Sequence, residues 1–270
     1  MSSWTPRHVL EAAAASQWCP DSAVEVLTDD YRLIRYPDWA LDPAFPAAQV
    51  TRSRSERAAA ELIAEVSGRV RQWGKPGVAW WVSSATLPRD TEAALRAAGG
   101  KQIDAVQILA RELDGDDDAG PAGSGDVSVE LVAGERAFRA ASMVTVRGWG
   151  REEPAVATAD REFRGALRDL SAWSSFRVVA SVAGERGEVP VSTGGCSLRG
   201  EVAHLWGAVT LREYRRRGCY RAVLAERLRL AQAHGAALAL VKGRPQTSAP
   251  ILLRAGFADC DTERCFWLSI

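Results

Sequence analysis

Leu205-Trp206-Gly207-Ala208-Val209-Thr210-Leu211-Arg212-Glu213-Tyr214-Arg215-Arg216-Arg217-Gly218-Cys219-Tyr220-Arg221-Ala222-Val223-Leu224 changes character twice in twenty residues. Its first part is apolar and reads as a strand. Its middle is basic and holds one glycine. From about Gly218 to His234, Tyr220, Leu224, Leu228 and Ala231 fall on one helical face, and Gly235 is placed to stop the helix. A strand therefore enters a basic turn, and the turn opens an amphipathic helix.

A helix N-terminus has unpaired N–H groups and the positive end of the helix dipole, so it attracts phosphate. Gly218 permits backbone angles and a close approach that a Cβ would hinder. Arg215, Arg216 and Arg217 add counter-charge, and arginine can fork onto phosphate oxygens. A diphosphate suits this turn. Two other phosphate-binding patterns fail: there is no Gly-Lys-Ser/Thr ending, and Gly218 stands without the two further spaced glycines of a dinucleotide fingerprint.

Downstream of the turn, 237–241 reads as an apolar strand, 248–255 as a short helix ending at Gly256, and 264–270 as a last strand. Upstream, 127–132 is a strand, 133–146 and 160–170 are helices, and 176–183, 189–198 and 202–210 are three strands joined by glycine-containing turns. The order β-α-α-β-β-β-α-β-α-β implies a mixed α/β layer design. The N-terminal half echoes its end: a helix over 53–73, a buried strand over 78–82, a short helix over 91–98 and a strand over 103–109. Leu95-Arg96-Ala97-Ala98-Gly99-Gly100 resembles Leu253-Arg254-Ala255-Gly256-Phe257. Two copies are too few for a solenoid and fit a duplicated domain. Between the halves, residues 114–126 hold five Asp and four Gly without periodicity, a composition that buries little and reads as a linker. The expected division is 1–113, linker 114–126 and 127–270.

The 270 residues carry 34 basic and 34 acidic side chains, a formal net charge of zero. That balance gives no reason to expect a nucleic acid or an anionic membrane as partner. No apolar run reaches the ~20 residues of a membrane span, and the N-terminus shows no signal peptide. Cys19, Cys196, Cys219, Cys260 and Cys265 are odd in number and dispersed, and His8, His204 and His234 form no ligand motif. The expectation is a reduced, cytoplasmic protein, monomer or homodimer, with no metal site.

With those residues in view, the turn resembles motif A of the GNAT superfamily of acyl-CoA N-acyltransferases, Gln/Arg-x-x-Gly-x-Gly/Ala after a strand. Arg215, Gly218 and Tyr220 occupy its three positions, and Tyr220 departs from the expected Gly or Ala. The run 247–257, ending in Gly256-Phe257, resembles the family's later helix. The resemblance covers 127–270 and extends to the N-terminal half as a degenerate copy. It implies an α/β (α+β) fold with a mixed central sheet whose fourth and fifth strands splay apart around acetyl-CoA. The pantetheine arm would pair with the backbone of Ala208, Val209 and Thr210. The diphosphate would meet the N–H groups of the turn, here Arg216, Arg217, Gly218, Cys219, Tyr220 and Arg221, and Ser248 would border the coenzyme. The corresponding helix start in the N-terminal half, Thr51–Glu56, has no glycine and an acidic residue where phosphate would sit. One coenzyme per chain is expected.

The implied reaction moves an acetyl group from acetyl-CoA to a primary amine of a small molecule by direct attack. It needs a neutral amine, a polarised thioester carbonyl and a proton for the leaving thiolate. The Val209 N–H is the first choice to polarise the carbonyl. His204 and Glu201 are the candidate bases; in some members a carboxylate base lies eleven residues before the first motif position, which is His204 here. The family's usual acid is a Tyr four residues before the Gly of Gly-Phe, and Leu252 stands there. Ser248, Tyr214, Tyr220 or water could replace it, or no acid is needed. That substitution also keeps open a non-catalytic acyl-CoA-binding sensor or assembly module. Cys219 reads as a small residue packed under the loop, Trp80 and Trp81 as core, and Trp149, Trp173 and Trp206 as core or acceptor-pocket residues.

Overall fold

The computed structural model describes residues 4–20, 22–38, 47–113, 126–152, 154, 156–185 and 187–270. In chain order the elements are α1 (Pro6–Ala15), β1 (Val24–Leu27), β2 (Tyr31–Arg35), β3 (Ala48–Ser53), α2 (Ala59–Gln72), β4 (Gly77–Val82), α3 (Thr91–Ala97) and β5 (Lys101–Glu112), then β6 (Val127–Leu131), α4 (Glu135–Trp149), α5 (Val156–Ser171), β7 (Ser175–Gly184), β8 (Gly187–Arg199), β9 (Val202–Thr210), α6 (Cys219–Ala233), β10 (Leu238–Gly243), α7 (Ala249–Arg254) and β11 (Ala258–Ser269). One turn of 3-10 helix, Arg212–Tyr214, precedes α6. By packing the chain forms two units: 1–110 with 242–270, and 111–241. Among the described residues no helix is long and apolar enough to cross a membrane.

In the C-terminal unit the strand order is β10-β9-β8-β7-β6. β9 runs parallel to β10, and β6 to β9 are successively antiparallel. Side chains on a strand alternate between faces, and that alternation assigns the helices. Val179 packs with Phe138 and Ala141 of α4, and Arg177, two residues earlier, donates to α4 as well. Gly194 of β8 faces the other way, where an added Cβ would meet Val223 and Arg227 of α6. The sheet is thus covered by α4 and α5 on one face and α6 on the other.

In the N-terminal unit the order is β1-β2-β3-β4-β11-β5. The core joins Leu62, Val66 and Val70 of α2 to Tyr31, Leu33, Val50, Trp80, Phe266 and Leu268. β11 lies antiparallel between β4 and β5, with Phe266 opposite Trp80 and Cys265 opposite Asp104. The expected division at 114–126 follows the repeat of elements; packing groups 242–270 with the N-terminal residues instead. Residues 114–125 of that segment lie outside the described residues.

Three expectations change. The helix read over 53–73 begins at Ala59, because Ser53 pairs with Tyr31 and its hydroxyl donates to the Leu87 carbonyl. Tertiary pairing outweighs local propensity there. The acidic residue in the first turn of α2 is accordingly Glu61, not Glu56. The last strand begins at Ala258 rather than 264, its polar start held by Asp259 accepting from Gln107 and Asp261 accepting from Ser84. α1 and the strands β1 to β3 were not anticipated.

Replacing Phe266, fully buried against Trp80, with Ala should cost about 3–5 kcal/mol. Urea unfolding of Phe266→Ala measures it, and a loss under 1 kcal/mol would contradict this account of the N-terminal core.

Candidate active site at the parting of two strands

β9 keeps its ladder with β8 from Val202 to Thr210. Its ladder with β10 runs only from Val202↔Leu238 to Leu205↔Val241. Past Leu205 the edge of β9 that faced β10 is left without a partner strand among the described pairs. A bulge sits there: Thr193 opposes Val209 and Gly195 opposes Trp206, so Gly194 alone spans Gly207 and Ala208. Gly207 has φ +60°, the left-handed region that a Cβ disfavours. A bulge re-aims a strand and increases its twist. Here it falls where the two strands separate.

β9 then enters the basic turn. Leu211 is buried with Val144 and Val209 and anchors the turn against α4. Arg216 and Gly218 both have positive φ, +64° and +81°. Ala222 N–H bonds to Gly218 O and is the first amide of α6 with an intrahelical acceptor. No side chain caps the helix and its first turn has no acidic residue. An added Cβ on Gly218 would meet nothing within 4 Å, so the space before the helix is open. This is the anion-binding arrangement expected of a helix N-terminus.

The arginines divide their work. Arg215 Nε donates to Thr210 O at 3.3 Å, tying the turn to the end of β9. Arg217 lies over the Tyr214 ring at 5.3 Å. Arg216, Arg217 and Arg221 are exposed. Tyr220 is half-buried and interacts electrostatically with Arg227 two turns further along α6. Its side chain thus belongs with the body of the helix, which accommodates bulk where the motif expects Gly or Ala. Cys219 is 1% exposed, and burial raises its thiol above the ordinary range, so it packs as a small core residue.

The other expected residues scatter more. Ala208 and Thr210 are half-buried, Thr210 sharing a 2.8 Å hydroxyl contact with Ser192, and Val209 packs under α4. His204 is 7% exposed and lies in the doubly paired part of β9, opposite Ser197 on one side and Leu240 on the other. It is two residues from the open edge. Glu201 is exposed and precedes β9, roughly 25 Å along the strand from Val209; no carboxylate side chain spans that length. Ser248 belongs to the N-terminal unit, and its Oγ accepts from Arg244 N–H at 2.8 Å. Leu252 is fully buried.

The tryptophans also separate. Trp80 is core and Trp81 donates to Gln49. Trp173 stacks on His234, and Trp149 is exposed at the end of α4. Trp206 is 41% exposed and lies at the parting of the strands, its Nε1 donating to Ser197. The residues that sequence reading missed are Gly194 and Gly207, whose bulge has no period to betray it, and Arg177, which reads as an ordinary strand arginine.

The N-terminal unit has a parting of its own. β3 and β4 pair only at Gln49↔Ala79 and Val50↔Trp80. Past Val50 the segment after β4 takes over the pairing: Leu87 N–H bonds to Ser53 O and Ser55 N–H bonds to Leu87 O. Leu10, Glu11 and Ala14 of α1 line a gap of about 20 Å³ beside Thr51–Arg54 and Trp81. Arg54 pairs with Glu11 at 2.7 Å. The end of β3 therefore finds its backbone partners within the unit.

Among the described residues no group of His, Cys, Asp and Glu could hold a metal ion. No protein-family model matches the chain, and no curated protein matches it in sequence. Solved structures match over nearly its whole length. One is a GCN5-related N-acetyltransferase from Kribbella flavida, 17% identical, TM-score 0.64, covering 97% of this chain and 94% of that one. A tandem GNAT protein from the clavulanic acid biosynthesis pathway is 15% identical, TM-score 0.66, with 97% and 87% covered. A GCN5-related N-acetyltransferase from Sphaerobacter thermophilus is 14% identical, TM-score 0.65, with 90% and 82% covered. The chain has the GNAT fold, with β9 and β10 as its parted strands.

Gly207→Val should cost about 1–3 kcal/mol, because a β-branched residue would be held in the left-handed region. Denaturant unfolding reads the cost, and a neutral substitution would show that the bulge is not held.

Proposed function

We propose that the chain is an N-acetyltransferase that binds acetyl-CoA along β9 and at the start of α6. The observation that supports this most is the uncapped, acid-free N-terminus of α6 behind two positive-φ residues, beside a strand whose edge opens at Trp206. The diphosphate is bound by N–H groups of the turn from Arg216 to Arg221, with Arg216, Arg217 and Arg221 supplying charge. The pantetheine amides continue the ladder that β10 abandons, on Ala208, Val209 and Thr210. One coenzyme binds per chain, since Leu87 pairs with the N-terminal counterpart strand and the first turn of α2 carries Glu61.

The coenzyme supplies an activated acyl carbonyl. The Val209 N–H polarises its oxygen, and a primary amine of a small molecule attacks the carbon. His204 lies five residues, roughly 16 Å, along the strand from Val209, so it takes the proton lost by nitrogen through water rather than by contact, as an imidazole suits. The C–S bond breaks, and the thiolate takes a proton from solvent or from the hydroxyl of Tyr214.

One feature favours a second reading. The aliphatic Leu252, buried at the position where the family often places an acid, suits a module that binds acyl-CoA without turning it over. Titration calorimetry with acetyl-CoA beside a thiol-release assay over an amine panel separates the two. The enzyme reading expects binding and release, with His204→Ala lowering kcat at least tenfold and leaving coenzyme affinity unchanged. Binding without release on every amine supports the sensor. Gly218→Glu should weaken acetyl-CoA at least tenfold by placing a carboxylate where phosphate sits; unchanged affinity would refute the site itself.

A further inference from the structure

Arg177 of β7 is held in an unusual setting. Its Nη2 donates to Ala141 O at 3.3 Å and Thr145 Oγ1 at 2.9 Å, both on α4. Its Nε is buried with no hydrogen-bond partner. No carboxylate among the described residues forms an ion pair with it; the acidic group whose charge reaches it is Glu162 of α5. Burial lowers the affinity of the guanidinium for its proton and raises that of the Glu162 carboxyl. A tie between α4 and β7 needs only a neutral donor, so a buried cation there costs free energy that its visible partners do not offset.

Its place in the sheet gives the cation a use. Arg177, Gly195 and Trp206 are cross-strand neighbours on adjacent strands. Three strands at ~4.8 Å spacing put the Arg177 and Trp206 backbones about 10 Å apart. Gly195 has no side chain, and a Cβ there would collide with the Trp206 ring. The indole therefore lies across Gly195 toward Arg177. Trp206 Nε1 donates to Ser197 Oγ at 2.9 Å, and Ser197 Oγ meets Ser175 Oγ at 3.1 Å, which fixes the ring. The row runs from a cation with unspent donors, over a flat aromatic floor, to the first residue of the open β9 edge.

We infer that Arg177 binds the carboxylate of the acceptor, so that the amine acetylated belongs to a small amino acid. Arginine forks onto a carboxylate with charge-assisted hydrogen bonds. A molecule with its carboxylate on Arg177 and its body over Trp206 presents its amine to the β9 edge, where the thioester carbonyl is expected. This inference rests on the proposed acetyltransferase reading and specifies its acceptor.

The test is steady-state thiol release from acetyl-CoA with paired acceptors, glycine against glycinamide and β-alanine against β-alaninamide. The amide's amine is the less basic, so intrinsic availability of free amine favours the amide. The expected result is at least a tenfold preference in kcat/KM for the acid. Arg177→Gln should abolish the preference chiefly through KM, and Arg177→Lys should restore part of it, with coenzyme titration unchanged. Equal or better turnover of the amides by the unaltered protein overturns the inference and leaves the acetyltransferase reading standing, even if the variants fail to fold. A preference that survives Arg177→Gln overturns it as well. No release with any amine overturns both readings.

Discussion

β9 is bound along its whole length to β8 but to β10 for only four residue pairs, and the geometry of the candidate site follows from that inequality. A strand in the middle of a sheet has no backbone groups to offer a ligand. A strand at an edge offers them along its length, with the hazard of pairing to other chains. β9 is central at its start and an edge at its end. The bulge at Gly207 and Gly194 lies where one regime gives way to the other, so a short, protected run of backbone becomes available inside the fold. The basic turn and α6 follow directly from it, which places an anion-binding helix terminus at the end of that run.

The two units treat the same problem differently. In the N-terminal unit β3 and β4 also part early, and Leu87 of the segment after β4 pairs with the end of β3. The chain's own backbone satisfies there the groups that β9 leaves open. The first turn of α2 carries Glu61 and no glycine, a helix start that does not suit an anion.

Much of this was legible from residues. The β9-turn-α6 segment was readable because an apolar strand, a glycine among arginines and a 3.6-residue stripe each carry a local physical signature. The boundaries of β9 are those expected, and α6 differs by one residue at each end. What stayed hidden was set by distant partners. β3 needed β2 to become a strand, and its Thr51–Ser53 looked like a helix start. β11 needed Gln107 and Ser84 to hold its acidic beginning. Glu201 looked as plausible as His204 because a sequence does not state where along a strand the sheet opens. Arg177 has no distinguishing neighbours in sequence; its buried Nε and the lack of an ion pair among the described residues set it apart.

The position of β11 bears on the order in which this chain can fold. The strand that separates β4 from β5 is made more than 140 residues after β5 ends, as subtraction of Glu112 from Ala258 shows. The first hundred residues therefore leave the ribosome before the strand that comes to lie between β4 and β5, where Phe266 stands opposite Trp80 and Gln102. Domains commonly finish folding in the order they are synthesised. This one cannot, and its early half must be shielded from stray strands until the last segment of the C-terminal half arrives to close it.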